Sequence, residues 1–285
     1  MFLRFNIWNS LPTTFIAATV VMILSSVHSL SAQQLNASDG EAGDEFGFSV
    51  SLSGNTGLIG VREDDDNGSS SGSVYIFRNL DTATGTVNES AKLLPSDGEA
   101  GDEFGFSVSL SGNTGLIGAR LDDDNGSRIG SAYIFQNVDT ATVTVNESVK
   151  LLPSDGEAGD QFGGSVSLSG NTGLVSAFSG DNDNGINSGS AYIFRNLDTA
   201  TGTVNEAVKL LASDGASIDN FGRSVSLSGN TGLIGANGDS DNGLGSGSAY
   251  IFRNLDTATG TVNESAKLLA SDCLLYTSPS PRDRG

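Results

Sequence analysis

Four times in this chain the same short acidic string recurs: Asp64-x-Asp66-Asn67-Gly68, Asp122-x-Asp124-Asn125-Gly126, Asp181-x-Asp183-Asn184-Gly185 and Asp239-x-Asp241-Asn242-Gly243. The middle position varies as Asp65, Asp123, Asn182 and Ser240. Alternating carboxylates followed by a glycine that permits a sharp turn can wrap several oxygens around a hard cation, and Ca2+ is the cation expected. The string is not a complete EF-hand loop, because no acid stands at the twelfth position. The same residues also describe a polar turn, since Asn-Gly favours tight turns and Asp caps backbone through its own carboxylate. A second acid, Asp44, Asp102, Asp160 or Asp219, stands two residues before each Phe-Gly pair.

Paired carboxylates also hydrolyse glycosides, but then the two acids need different environments. Here the acids repeat alike. The most divergent repeat has Ala216-Ser217-Ile218 where the others have Glu-Ala-Gly, so it loses an acid. Residues 33–272 contain no His, Cys, Trp or Met, which removes a cysteine or histidine catalyst and a conventional zinc site from this stretch. The expectation is a non-catalytic chain.

The elements that must position these acids come in repeats. Phe-Gly pairs stand at 46, 104, 162 and 221, and the repeats run 38–95, 96–153, 154–212 and 213–270, with 271–272 opening a fifth. Each repeat holds four runs of strand character. In the first they are FSVSLS (48–53), GLIGV (57–61), SVYIFRN (73–79) and TVNESAKLL (86–94), separated by Gly, Asn, Asp and Ser. The turn after the first run is S-G-N-T-G throughout, short enough for a hairpin. The third run is apolar on both faces and needs cover on both. The fourth carries Lys92, Lys150, Lys209 and Lys267, which reads as an outer, solvated strand. Four antiparallel strands per repeat, arranged radially, describe an all-β propeller built of four-stranded blades, about four of which are present.

The formal net charge is −20. Such a surface repels nucleic acid and anionic lipid and attracts cations. The ends read differently from the repeats. Residues 1–32, with the apolar core TFIAATVVMIL (14–24) and cleavage expected near Ala32, read as a signal peptide. That implies a secreted or cell-surface protein with no membrane insertion after cleavage. Residues 273–285 begin CLLYTS, which back-translates to TGT CTC TTA TAC ACA TCT, the transposase end used in sequencing libraries. This segment reads as a translated adapter and is set aside.

The string FGFSVSLSGNTGLIGV followed by DDDNGSSSGSVYIF resembles the FG-GAP repeat, the blade unit of integrin α-subunit propellers and of secreted bacterial proteins. The resemblance covers 38–272. It implies a propeller, commonly of seven blades. Two departures stand out. The family's final proline is replaced by Arg62, Arg120, Phe178 and Asn237. The acidic loop lies one connection later than in calcium-binding integrin blades, so their ligands do not carry over by position. QQLNA (33–37) stands where AKLLP (91–95) precedes the next repeat, and is expected to latch a ring as an outer strand. Residues Ser69–Ser71, Ser127–Ile129, Ile186–Ser188 and Leu244–Ser246 differ most between repeats and are expected to carry specificity for an extracellular protein or glycan. The alternative reading is an accessory propeller of a larger extracellular enzyme.

Overall fold

A computed structural model describes residues 34–180 and 184–270. The expected signal peptide, Asp181, Asp183 and the adapter-like segment lie outside the described residues. A short strand, β1 (Gln34–Asn36), comes first. Repeat one holds β2 (Ser49–Ser53), β3 (Thr56–Val61), β4 (Ser73–Phe77), β5 (Thr86–Asn88) and β6 (Ala91–Leu93). Repeat two holds β7 (Phe104–Ser111), β8 (Thr114–Ala119), β9 (Ser131–Phe135) and β10 (Val149–Leu152). Repeat three holds β11 (Phe162–Ser169), β12 (Thr172–Ala177), β13 (Ser190–Phe194), β14 (Gly202–Asn205) and β15 (Val208–Leu211). Repeat four holds β16 (Phe221–Ser228), β17 (Thr231–Ala236), β18 (Ser248–Phe252), β19 (Gly260–Asn263) and β20 (Ala266–Leu268).

The blades are antiparallel meanders: β2-β3-β4-β6, β7-β8-β9-β10, β11-β12-β13-β15 and β16-β17-β18-β20. The third strand, apolar on both faces in the sequence, is buried along its whole length in β4, β9 and β13. The fourth run departs from expectation, because it is broken rather than continuous. Glu89 and Ser90 interrupt it: the Ser90 N–H donates to the Ile76 carbonyl, while Glu89 accepts from Ser38. Only the AKL half joins its own blade. The TVN half runs parallel to the outer strand of the preceding repeat, as β14 does on β10 and β19 on β15. β1 takes that outer-strand place on β5, pairing Leu35 with Val87 as Leu151 pairs with Val204.

Among the described residues, three of the four apolar cores lie between blades, and the fourth, Ile59, Val61, Tyr75 and Phe77, is formed by blade one with Leu35 and Ala37 packed against it. Leu58, Val74, Ile76, Ala91 and Leu93 of repeat one pack with Phe104, Leu110, Tyr133 and Phe135 of repeat two. The equivalent sets join repeats two and three, and three and four. On blade four, Leu233 and Leu268 correspond to the fully buried Leu58 and Leu93 but are 43% and 45% exposed.

Two devices bring the blades close. The Phe-Gly glycine adopts φ +87° at Gly105, and a Cβ added there would lie 2.6 Å from the Ser73 carbonyl oxygen. On the facing strand, a Cβ on Gly60 would lie 2.2 Å from the Gly105 carbonyl oxygen. The second device is a serine ladder. The N–H groups of Leu110 and Gly112 donate to the hydroxyls of Ser51 and Ser53, and those of Leu168 and Gly170 to Ser109 and Ser111. The ladder continues from Leu227 and Gly229 to Ser167 and Ser169. The innermost strands thus have edge donors satisfied by serine side chains, with no further strand.

Glycine substitutions separate conformational cost from contact cost. Gly112→Ala, at φ +60° with nothing near a new Cβ, should cost about 1 kcal/mol. Gly105→Ala should cost about 3 kcal/mol or more, since overpacking adds to strain. Urea denaturation of the two variants would compare them, and equal costs would contradict the close-approach account.

Candidate functional site: the acidic loops

The D-x-D-N-G strings lie on the connection after the second strand of each blade. In repeat one this loop folds by an Asx turn, with the Asp66 N–H donating to Asp64 Oδ1 at 3.1 Å. Asp124 and Asp122, and Asp241 and Asp239, repeat the turn at 3.2 and 3.0 Å. The first Asp is buried: Asp64 is 4%, and Asp122 and Asp239 are each 2%, exposed. Its second oxygen faces inward. Asp64 Oδ2 accepts from the Ser73 hydroxyl at 2.9 Å and from Lys92 Nζ at 3.0 Å, with the Tyr75 hydroxyl also at 3.0 Å.

The lysine is therefore not on a solvated strand as the sequence reading has it. Lys92 is 8% exposed, and its ammonium sits among three carboxylates: Asp64, Asp66 at 2.5 Å and Asp39 at 3.1 Å. Lys150 repeats this with Asp97, Asp122 and Asp124 at 2.6, 3.1 and 2.7 Å. Lys267 lies 2.7 Å from each of Asp214, Asp239 and Asp241. In repeat three Lys209 pairs with Asp155, and the Tyr192 hydroxyl donates to the same carboxylate. Asp181 and Asp183 of that loop are outside the described residues. Each ammonium also lies over its tyrosine ring, at 4.8 Å for Lys92 and Tyr75.

The fourfold lysine and the Asp of each Ser-Asp-Gly are ion-pair partners that sequence reasoning missed. The signal was one lysine per repeat, always at the same place. The asparagines do not join the carboxylates in one role. Asn184 and Asn242 side chains donate to the Ala212 and Ala270 carbonyls, and the Asn67 N–H donates to the Ser71 hydroxyl. The carboxylates of Asp97, Asp122 and Asp124, and of Asp214, Asp239 and Asp241, converge within 4.8 Å of one another. That spacing fits a cation, and Lys150 or Lys267 supplies one. A divalent ion at the same point would have to displace the ammonium.

The charge balance shows in the titration of these groups. Burial opposes the charge on Lys150, but hydrogen bonds to Asp124 and Asp97 outweigh it and hold the amine above its ordinary range. Burial likewise opposes ionisation of Asp239, yet bonds from Lys267, Tyr250 and the Asp241 N–H hold it at about 2. Asp102, of the acid set before Phe-Gly, behaves oppositely. Burial, with the nearby charges of Asp122, Asp123 and Asp124, pushes it up to about 6, although its Oδ2 accepts from the Glu99 N–H at 2.7 Å. Asp44, Asp160 and Asp219 cap their own loops in the same way.

The residues in place of the family proline form a rim beside these loops. Arg62 stacks on Phe48 at 4.2 Å and Arg120 on Phe106 at 4.0 Å. In repeat three the pair changes together: Gly164 replaces the phenylalanine and Phe178 the arginine. A Cβ on Gly164 would lie 2.4 Å from the Phe178 ring, and Arg223 of repeat four stacks on that ring at 4.7 Å.

The loops that differ most between repeats share a three-part plan. Their first residue is exposed: Ser69, Ser127, Ile186 and Leu244. Their second has positive φ: Ser70, Arg128, Asn187 and Gly245. Their third turns inward, and Ser71, Ile129 and Ser188 are buried. In the first three repeats their carbonyls accept from the next repeat, as Ser69 and Ser70 do from the Gly101 and Glu103 N–H groups.

Two outcomes follow. Lys150→Met leaves buried Asp122 without its counter-ion and should cost about 3 kcal/mol; calorimetry showing no loss would contradict the ammonium's role. For Asp102, the folded state holds its proton more tightly than the unfolded one. Stability therefore falls as pH rises from about 4 to about 6. Asp239 has the opposite sign, and its contribution is lost as pH falls below about 4. The melting temperature should rise on acidification from neutrality toward pH about 5, and Asp102→Asn should reduce that rise.

An FG-GAP repeat family model matches residues 31–77, 87–135, 145–194 and 204–252. Each match begins at or near the outer-strand segment and ends on the third strand, so the family unit in repeat one contains β1. No curated protein matches the chain. With blades, Phe-Gly contacts and four matched segments spanning more than half its length, the chain belongs to the FG-GAP repeat family.

Proposed function

We propose that this chain is an exported, non-catalytic interaction or adhesion module, in which a rigid set of blades presents short loops to an extracellular protein or glycan. One observation carries the reading: the acidic groups that catalysis would need are committed to the fold. Asp64, Asp122 and Asp239 each serve a turn N–H, a tyrosine and a lysine. What remains for a partner is the exposed first position of each variable loop, including Ile186 at 64% and Leu244 at 100%. FG-GAP repeats are typical of extracellular or surface proteins, which agrees with an exported module.

The cation reading takes a specific form in this proposal. The ammonium is the resident cation of each acidic loop, and Ca2+ stabilises the chain only where it wins the carboxylates from lysine. Calorimetry with and without Ca2+ separates the cases. An unchanged melting temperature supports the ammonium, and a rise that saturates with Ca2+ assigns the loops to calcium.

The interaction reading is tested on a glycan array and a panel of extracellular matrix proteins. Saturable binding is expected. A variant carrying Ile186→Ser and Leu244→Ser should lose it by about tenfold or more, as loss of contact residues typically does, with an unchanged melting temperature. No saturable binding to either panel would argue against the proposal.

A further inference from the structure

The four Asn-Gly pairs of the acidic loops share a sequence motif but not an environment. Asn184 Nδ2 donates to the Ala212 carbonyl at 3.2 Å, and Asn242 Nδ2 to the Ala270 carbonyl at 3.1 Å. Asn67 and Asn125 are exposed, as Asn242 is, but their side-chain amides make no such bond. Pro95 and Pro153 stand in those repeats where Ala212 and Ala270 stand in the others. Asn125 also borders a cavity of about 260 Å³, lined by Ile129, Pro153 and Gly156, which leaves its side chain room to turn.

We propose that Asn67 and Asn125 are sites of spontaneous deamidation, and that Asn184 and Asn242 are protected from it. In the reaction the backbone nitrogen of the following glycine attacks the asparagine Cγ. A new N–Cγ bond forms and the Cγ–Nδ2 bond breaks. The amide nitrogen leaves as ammonia, taking up the proton lost by the glycine nitrogen. Water then opens the five-membered imide, giving aspartate or isoaspartate, with no change of oxidation state. Glycine is the favourable neighbour because no Cβ shields its nitrogen.

The turn itself does not distinguish the sites. The glycine N–H donates to the carbonyl three residues back at Gly68, Gly126 and Gly243, at 3.0, 3.0 and 3.1 Å. The difference lies in the side chain. To bring Cγ onto the glycine nitrogen, Asn184 and Asn242 must give up a hydrogen bond that Asn67 and Asn125 do not have. Each conversion adds one negative charge to a loop already holding Asp64 and Asp66, or Asp122 and Asp124, around a single lysine.

The test is ageing of the full chain at mildly alkaline pH, followed by peptide mass mapping and enzymatic detection of isoaspartate. Each site's rate is divided by its rate in the urea-unfolded chain, which cancels the effect of neighbouring residues. The normalised rates at Asn67 and Asn125 should exceed those at Asn184 and Asn242 by about fivefold, the factor one net hydrogen bond supplies. Equal normalised rates at all four sites, or the reverse order, would overturn the proposal.

Discussion

A blade in this chain is a sheet with two apolar faces, and three of the four apolar cores among the described residues form only where one blade meets the next. That constraint governs the rest of the structure. The side chains of highest apolar area, Phe104 with Tyr133 and Phe135, sit in a cluster completed by Leu58, Val74 and Ile76 of the preceding repeat. The cluster closes only if the two sheets approach within backbone contact near their inner edge, which is why glycine stands at 60 and 105. Stability is then a sum of nearest-neighbour terms, as in other repeat proteins, and each inter-blade contact is reinforced at several radii. Serine hydroxyls tie the inner strands. Arg78 and Arg195 donate to carbonyls of the next repeat. A parallel strand pair seals the outer edge between repeats two and three.

The electrostatics follow from a shortage of cations. The chain has 34 acids and 14 lysines and arginines, so few positive groups are available to offset buried carboxylates. In repeats one, two and four the fold places a lysine where three acids converge. A carboxylate as buried as Asp122 would otherwise be costly to ionise. The aromatic ring beneath each ammonium adds attraction without adding another acid. Asp102 shows what happens nearby without a cation of its own, since its acidity is weakened by burial and by neighbouring negative charge.

The parts of this arrangement that were legible in the sequence are those set by local periodicity. The hairpin after the first run and the doubly buried third strand both follow from residue type and spacing within a few positions. The break in TVNESAKLL was not legible, because each half is a plausible strand and what separates them is pairing to different repeats. The lysine was misread for a related reason. Lys92 lies 26 residues from Asp66 and 53 from Asp39, and nothing local distinguishes an ammonium turned inward from one turned to solvent. The acidic loop was legible as a turn, but the ammonium at its carboxylates was not: one oxygen of Asp64 closes the turn while the other accepts from Lys92.

Differences between the repeats show where the sequence is free to change. At the rim, the Phe-Arg pair of repeats one and two gives way to Gly164 with Phe178, and Arg223 then restores a guanidinium over the ring. Such paired changes are what contact across a blade boundary demands, because a lone change would leave a hole or a clash. The first positions of the variable loops differ without any such compensation: Ser69, Ser127, Ile186 and Leu244 touch no shared partner through their side chains in the bonding described. Their neighbours at positive φ and at the buried third position keep the loop shape constant. The result is one scaffolded loop repeated with a different tip. A partner meeting several tips at once would gain affinity from their fixed spacing rather than from any single pocket. Rigid blade contacts, and the lysines that hold the acidic loops of repeats one, two and four in place, are what keep that spacing fixed.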